Sequence, residues 1–233
     1  MFFKFSNFLF ICLLMMSCTE TKGVYEVQKL KTPIQLTGKG DDSAWKKANV
    51  LTDFSYPWRE ENAPLTEFRA LHTHNHFYFL YRAIDPDIIT KKATLAEKGV
   101  VDSDRIELFF KANEDDHPYY SLELDAMGRT LDTQAEFGQK VDFDWTWPDN
   151  GLVVKSTTDE FGYWVEGSIS FASLRQLGIY QGDGILKTGL YRAEYTKGPN
   201  GKASPKWISW VHPGTETPNF HIPSSFGTLK LVQ

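Results

Sequence analysis

Short runs in which apolar and polar residues alternate make up most of this 233-residue chain. The runs are TEFRALHT, HFYFLYRAID, DRIELFFKA, YYSLELDA, LVVKSTTD, YWVEGSISF, GLYRAEYT, KWISWVHP and GTLKLV. Turn-forming residues separate them, namely Asn75, Pro86, residues 115–118, Gly128, Gly162 and residues 199–201. Because alternation at a period of two is typical of strands with one buried face, the pattern predicts an all-β fold, an antiparallel β-sandwich. We expect helix only in one or two short segments, 42–47 and 172–177.

The first 18 residues are typical of a bacterial lipoprotein signal peptide. An unbroken apolar run over 8–16 follows Lys4 and is too short to cross a membrane, which takes about 20 apolar residues. Ser17 directly before Cys18 resembles a lipobox, in which the cysteine becomes the lipidated first residue of the mature chain. We therefore expect an exported protein that is lipid-anchored at Cys18 to the cell envelope, in the outer membrane. In the alternative, Cys18 is an ordinary residue of a cleaved signal.

Residues 19–32 are polar and show no sustained period, which predicts a tether, with the folded domain over 33–233. The two cysteines, Cys12 and Cys18, both lie in the leader, so the mature domain would have no disulfide and would depend on its core. A net charge of −5, spread without blocks, argues against nucleic acid and against any membrane contact except the lipid anchor. We expect a monomer.

Charged residues follow the polar faces of three predicted strands. In DRIELFFKA, alternation turns Ile106 and Leu108 inward and Arg105 and Glu107 outward. The same rule places four more charged residues outward: Glu123, Asp125, Arg192 and Glu194. If these strands are neighbours, their outer face is an exposed charged surface that could bind hydroxyl groups, or a set of cross-strand ion pairs. Carboxylates beside arginine should stay ionised, which disfavours a general acid.

The stretch FDWTWPDNG combines large rings with a turn signal. In an extended strand Phe143, Trp145 and Trp147 share one face. This pattern is compatible with a half-buried core strand, and equally with a ring surface for a ligand that has flat apolar faces, such as a sugar.

Metal and catalytic motifs are scarce. His72, His74 and His76 alternate, but a hairpin turn at 73–75 would put the first and last on opposite strands, so we do not expect a metal there. Loop aspartates could bind calcium or cap turns: Asp85, Asp87, Asp102, Asp104, Asp115 and Asp116. The chain has no glycine-rich phosphate loop, G-x-S-x-G elbow or H-E-x-x-H helix.

Seven motifs in order resemble the family 9 carbohydrate-binding modules over about 33–231. They are TGKGDDSAW, FRALHTHNHFYFLYRAIDPDI, DSDRIELFF, YYSLELDAMG, GYWVEGSISFASL, ISW and FHIPSSFGTLKL. The resemblance implies a β-sandwich that holds a polysaccharide or oligosaccharide by ring stacking and polar contacts. It also implies calcium in some members and no catalytic residues.

The resemblance carries the family's polar ligand contacts to positions that strand alternation also selected. The implied carbohydrate-binding residues are Glu107, Glu123, Asp125, Arg192, Glu194, Trp145, Trp147, Trp210 and Phe220. Of the family's two clamping tryptophans, one falls near Val101 and the other on Phe220, so one ring is lost and one is smaller. Trp145 is the first candidate to replace the missing wall, and Trp58 is another.

Three functions follow, in this order. The first is a lipid-anchored, non-catalytic carbohydrate-binding protein that takes part in glycan catabolism. The second is a glycoside hydrolase or lyase that acts through Glu107, Glu123 and Arg192. The third is a haem-binding sandwich, with Met127 and His221 as the available ligands.

Overall fold

The computed structural model describes residues 23–92, 99–112, 118–138 and 140–233. In these ranges the strands are β1 Val24–Lys29, β2 Thr66–His72, β3 His76–Ile84, β4 Arg105–Lys111, β5 Tyr119–Asp125, β6 Thr130–Ala135, β7 Leu152–Asp159, β8 Gly162–Ser170, β9 Ile185–Lys197, β10 Ala203–Ser209 and β11 Gly227–Leu231. The helices are α1 Phe171–Gln176 and two 3₁₀ turns, Ser43–Lys47 and Pro223–Ser225. The two helices expected from sequence are confirmed to within one residue.

The strands form two layers, as predicted for an antiparallel β-sandwich. One layer has the order β6-β5-β4-β9, and both β10 and β11 pair with the far edge of β9. The other layer has the order β2-β3-β8-β7. Strand β1 joins the layers, because its first residues pair in parallel with β11 and its last two pair in parallel with β2.

The core lies between the inner faces of the two layers. Ile106, Leu108 and Phe110 of β4 are fully buried there, as alternation predicted. Across the interface the Phe77 and Phe110 rings meet edge to face, with centroids 6.5 Å apart.

The predicted tether over 19–32 is wrong for residues 24–29, which form β1. Tyr25 and Val27 of this strand are buried in the core, and Tyr25 Oη donates a hydrogen bond of 2.7 Å to Asn49 O. The sequence VYEVQK does alternate, but its partners are remote in sequence, so its pairing gave no local signal. The proposed signal peptide, including Cys18, lies outside the described residues. Within the described ranges, no helix is long and apolar enough to cross a membrane.

The segment TGKGDDSAW covers the outer face of the β2-β3-β8-β7 layer. Glu166 of β8 accepts hydrogen bonds from Trp45 Nε1 at 2.7 Å, Thr37 N at 2.8 Å and Gly38 N at 2.6 Å. Because Glu166 is fully buried, these donors replace the water it would otherwise bind. This outer face is therefore closed by a structural loop, whereas the outer face of the other layer contains a cleft.

Candidate ligand-binding site

A cleft lies on the outer face of the β5-β4-β9-β10 layer, and strand register decides which side chains reach it. Glu107 is opposite Glu123 on β5, and Arg105 is opposite Ala193 on β9. Ala193 is in turn opposite Trp207 on β10. Because Ala193 is small, the Arg105 guanidinium extends across it and lies 5.4 Å from the Trp207 ring centroid.

The floor of the cleft is a guanidinium between two carboxylates. Arg105 Nη2 lies 2.9 Å from Glu107 Oε1, and Arg105 Nε lies 2.6 Å from Glu123 Oε2. All three side chains are largely buried, at 5%, 3% and 12% exposure respectively. Neither contact is aligned as a hydrogen bond, so Arg105 Nε and both carboxylate oxygens lack a hydrogen-bond partner among the described residues. Buried polar groups of this kind are stabilised when a ligand or water satisfies them.

The two carboxyl groups do not behave as the sequence suggested. Burial raises the pKa of Glu107 to about 8, because desolvation together with the neighbouring Glu123 outweighs the attraction of Arg105. Burial also raises the pKa of Glu123. The expectation that arginine would hold both carboxylates ionised is therefore wrong, since one cation cannot compensate two buried anions.

Aromatic rings form the walls. Phe220 stacks flat on Tyr191, with centroids 4.2 Å apart and planes 13° apart, and is almost completely covered. Trp58 and Trp207 both pack against Phe220, at 5.2 and 5.8 Å, and are only half-buried. The cleft measures about 150 Å³, and its lining comprises Trp58, Arg105, Glu107, Glu123, Trp207, Pro218, Asn219, Phe220 and His221.

A second layer of contacts fixes these walls. Tyr191 Oη lies 2.6 Å from Ser225 Oγ, and a Cβ at Gly189 would lie only 2.1 Å from that Tyr191 oxygen. His221 Nδ1 is within 2.6 Å of Tyr119 Oη, and burial lowers the pKa of His221, so its ring is neutral at pH 7. The ring that supports Phe220 therefore has little freedom to move.

The family model for "Carbohydrate family 9 binding domain-like" proteins matches residues 36–233, which is most of the chain. The chain belongs to this family. The resemblance inferred from the seven motifs is thus confirmed. No curated protein sequence matches the chain significantly.

Solved structures share the fold. A provisionally named carbohydrate-binding protein from Bacteroides uniformis ATCC 8492 is 20% identical, with a TM-score of 0.71 over 90% of this chain and 99% of that one. A family 9 carbohydrate-binding module from Caldicellulosiruptor kristjanssonii in complex with glucose is 18% identical, with a TM-score of 0.56 over 90% and 95% of the two chains. Its complex with cellotriose gives 18% and 0.56 over 89% and 93%.

The structure brings three of the predicted site residues together in the cleft: Glu107, Glu123 and Phe220. The prediction that Glu107, Asp125 and Arg192 lie on one exposed face is wrong. They are 2%, 0% and 0% exposed, and Arg192 pairs with Ile106, which faces the core. Glu194 alternates with Arg192 and shares its side of β9.

Arg192 is part of a buried network at one end of the core. Its guanidinium donates to Thr66 Oγ1 at 3.2 Å and to Ile84 O at 3.0 Å, and lies 3.4 Å from Asp85 Oδ2. Burial raises the pKa of Asp85, and raises that of the nearby Asp104 to about 7. Arg192 therefore balances charge inside the sandwich instead of facing a ligand.

Asp125 has a structural role at the end of β5. One of its carboxylate oxygens accepts from Met127 N at 3.0 Å and Arg129 N at 2.9 Å. The other lies 2.6 Å from the Arg129 guanidinium. This arrangement closes the turn that leads to β6, and Asp125 does not line the cleft.

The tryptophans divide between core and cleft differently from the expectation. Trp147 and Trp210 are buried in the core. Trp145 packs 5.0 Å from Tyr120, whose side chain belongs to the core face of β5, so Trp145 does not line this cleft. Trp58, the second candidate, does line it. Trp207 was missed, although it alternates with the core residue Ile208 and so had to face outward.

Other predicted ligand sets are dispersed. The histidine hairpin has the predicted form, since β2 ends at His72 and β3 begins at His76. Among the described residues no three His, Cys, Asp or Glu side chains gather as a metal site, and Asp115 and Asp116 lie outside them. Met127 follows the end of β5, whereas His221 contacts Tyr119 at its start, about 20 Å away along a strand of this length. The pair cannot ligate one haem iron.

The geometry favours binding over bond cleavage. A raised pKa on Glu107 is one attribute of a general acid. Glycosidases, however, place their two carboxyl groups on either side of the bond that breaks. Glu107 and Glu123 are adjacent on the floor and approach the same guanidinium, so a sugar resting on the floor would meet both from one side.

Proposed function

We propose that the protein binds a saccharide, without cleaving it, in the cleft between Trp58 and Trp207. The observation that carries this proposal is the combination of half-exposed indole rings with a buried Arg105–Glu107–Glu123 floor in one cleft. Membership of a carbohydrate-binding family supports it. So do the glucose and cellotriose complexes of a module with the same fold.

The two parts of the cleft would contribute differently to affinity. Sugar hydroxyls are already hydrogen-bonded to water, so each new hydrogen bond gives a small net gain, larger when the partner is charged. The indole faces remove sugar C–H groups from water and supply the apolar contact. Trp58 is positioned for this because its Nε1 donates to Thr215 O at 2.8 Å, which holds the ring against Phe220.

Titration of the purified protein with glucose, cellotriose and a glycan panel tests the proposal. Intrinsic tryptophan fluorescence should change on binding, and Trp207→Ala should weaken affinity at least tenfold, about 1.4 kcal/mol. Trp164→Ala is the matched control, because Trp164 is also half-buried and also lies under an arginine, Arg82 at 4.7 Å, but on the opposite layer. If Trp207→Ala and Trp58→Ala retained full affinity, this cleft would not be the binding site.

We also propose that the protein is lipid-anchored at Cys18 to the bacterial cell envelope, in the outer membrane, and takes part in glycan catabolism. The apolar run 8–16 that ends before Ser17-Cys18 supports the anchor. A lipid-anchored binding protein would hold glycan near the cell surface for degrading enzymes. Membrane fractionation tests the anchor: Cys18→Ala should lose the acyl chain and leave the membrane fraction, and retention in that fraction would contradict it.

A further inference from the structure

The floor of the cleft carries one negative charge more than it can balance. Its charged lining residues are Arg105, Glu107 and Glu123, and the remaining titratable group in the lining, His221, is neutral. Ionisation of both carboxyl groups therefore leaves an excess of one anion in a buried site. An uncompensated buried charge is costly, so the site must acquire either a proton or a cation.

Independent evidence that this excess faces a ligand comes from the unsatisfied atoms. Glu107 Oε1 and Glu123 Oε2 are buried and have no hydrogen-bond partner among the described residues, although both residues line the cleft. Glu107 is only 2% exposed. Two acceptors side by side, with one guanidinium as their sole cationic neighbour in the lining, provide a site for a ligand group that is both a cation and a multiple hydrogen-bond donor.

We propose that the preferred ligand is a saccharide with a free, protonated primary amine, such as a hexosamine unit that is not acetylated. This inference rests on the proposed function and specifies its ligand class. An ammonium group offers three donors and one positive charge, which matches two carboxylates that share one arginine. A uronic acid would place a third carboxylate beside them and is disfavoured.

A bound divalent cation fits the floor less well. Arg105 already lies 2.9 and 2.6 Å from one oxygen of each carboxylate, so a metal would have to bind beside a guanidinium cation. The rest of the lining is aromatic apart from Pro218, Asn219 and His221, which leaves too few oxygen ligands for calcium. The indole walls, by contrast, suit both the C–H face of a sugar ring and a neighbouring ammonium group.

Calorimetric titration at pH 7 with four monosaccharides tests the inference. Glucosamine carries the amine, glucose lacks it, N-acetylglucosamine carries it in neutral form, and glucuronic acid carries an anion. We expect glucosamine to bind at least tenfold more tightly than glucose and N-acetylglucosamine, and glucuronic acid to bind most weakly. Glu107→Gln and Glu123→Gln should each reduce the glucosamine-to-glucose ratio to below about threefold, because each removes the excess charge.

Glu67→Gln provides the matched control for these substitutions. Glu67 pairs at 3.2 Å with Arg69, two residues away on the same strand, as Glu107 does with Arg105, but on the other layer. This variant should keep the wild-type ratio. A wild-type ratio below tenfold, or a ratio that persists in both cleft variants, would overturn the inference while leaving saccharide binding intact. Failure of every saccharide to bind would overturn the proposed function as well.

Discussion

Replacing Arg192 separates a structural charge from a ligand-binding charge. Arg192 is fully buried, and its guanidinium approaches Asp85 at 3.4 Å and donates to Ile84 O and Thr66 Oγ1. In Arg192→Met the apolar stem is kept and the charge is lost. Asp85 and Asp104 then remain in the core without their cation.

The expected cost follows from this loss. Removing one partner of a buried ion pair costs about 3–5 kcal/mol, whereas an ordinary surface substitution costs less than about 0.5 kcal/mol. Urea unfolding at pH 7 should therefore show a free energy of unfolding lower by about 3–5 kcal/mol. Arg69→Met serves as control, because Arg69 pairs with Glu67 at 28% side-chain exposure and should cost about 1 kcal/mol or less.

A change of pH tests the mechanism of the loss. Asp104 already has a pKa of about 7 beside Arg192, and without that cation its pKa should rise further. At pH 5 the orphaned carboxyl groups would be protonated, so the difference between variant and wild type should shrink. A loss below 1 kcal/mol together with abolished saccharide binding would refute the structural role and return Arg192 to the binding site.

Three further measurements address the cleft and its support. The free energy of unfolding should fall as pH rises from about 4.5 to 8, because the folded state holds a proton on Glu107 that the unfolded state releases, and Glu107→Gln should flatten this slope. Gly189→Ala should lower stability by about 1–3 kcal/mol and weaken saccharide affinity, since its new Cβ would displace Tyr191, and unchanged affinity would show that the Phe220 wall is not needed. Glu166→Gln should cost about 1–3 kcal/mol in thermal or urea unfolding without affecting affinity, because it weakens three buried hydrogen bonds far from the cleft.

Alternation predicted the sandwich and the facing of β4 and β5, because each of those strands has one clearly apolar face. It failed on β9, where Tyr191, Ala193 and Tyr195 were expected inward. The outer face of this layer carries its own ring cluster around Phe109, Tyr191 and Phe220, so apolar residues occur on both sides of β9. The register with Glu107, which only the folded structure supplies, decides the facing.

The cleft walls show why a lost ring need not be replaced from the nearest loop. Position 101, where the family's tryptophan would fall, contributes its backbone: Val101 O accepts hydrogen bonds from Arg105 at 2.8 Å and Tyr195 at 2.6 Å, and its side chain points away as an exposed valine. A substitute ring must project from the outer face of the same layer. Trp145 cannot do so, because it packs on the core side of β5, whereas Trp207 can, because Ala193 leaves a gap in register between it and Arg105. Facing and neighbour size together therefore select Trp207, and neither is visible in the spacing of tryptophans along the chain.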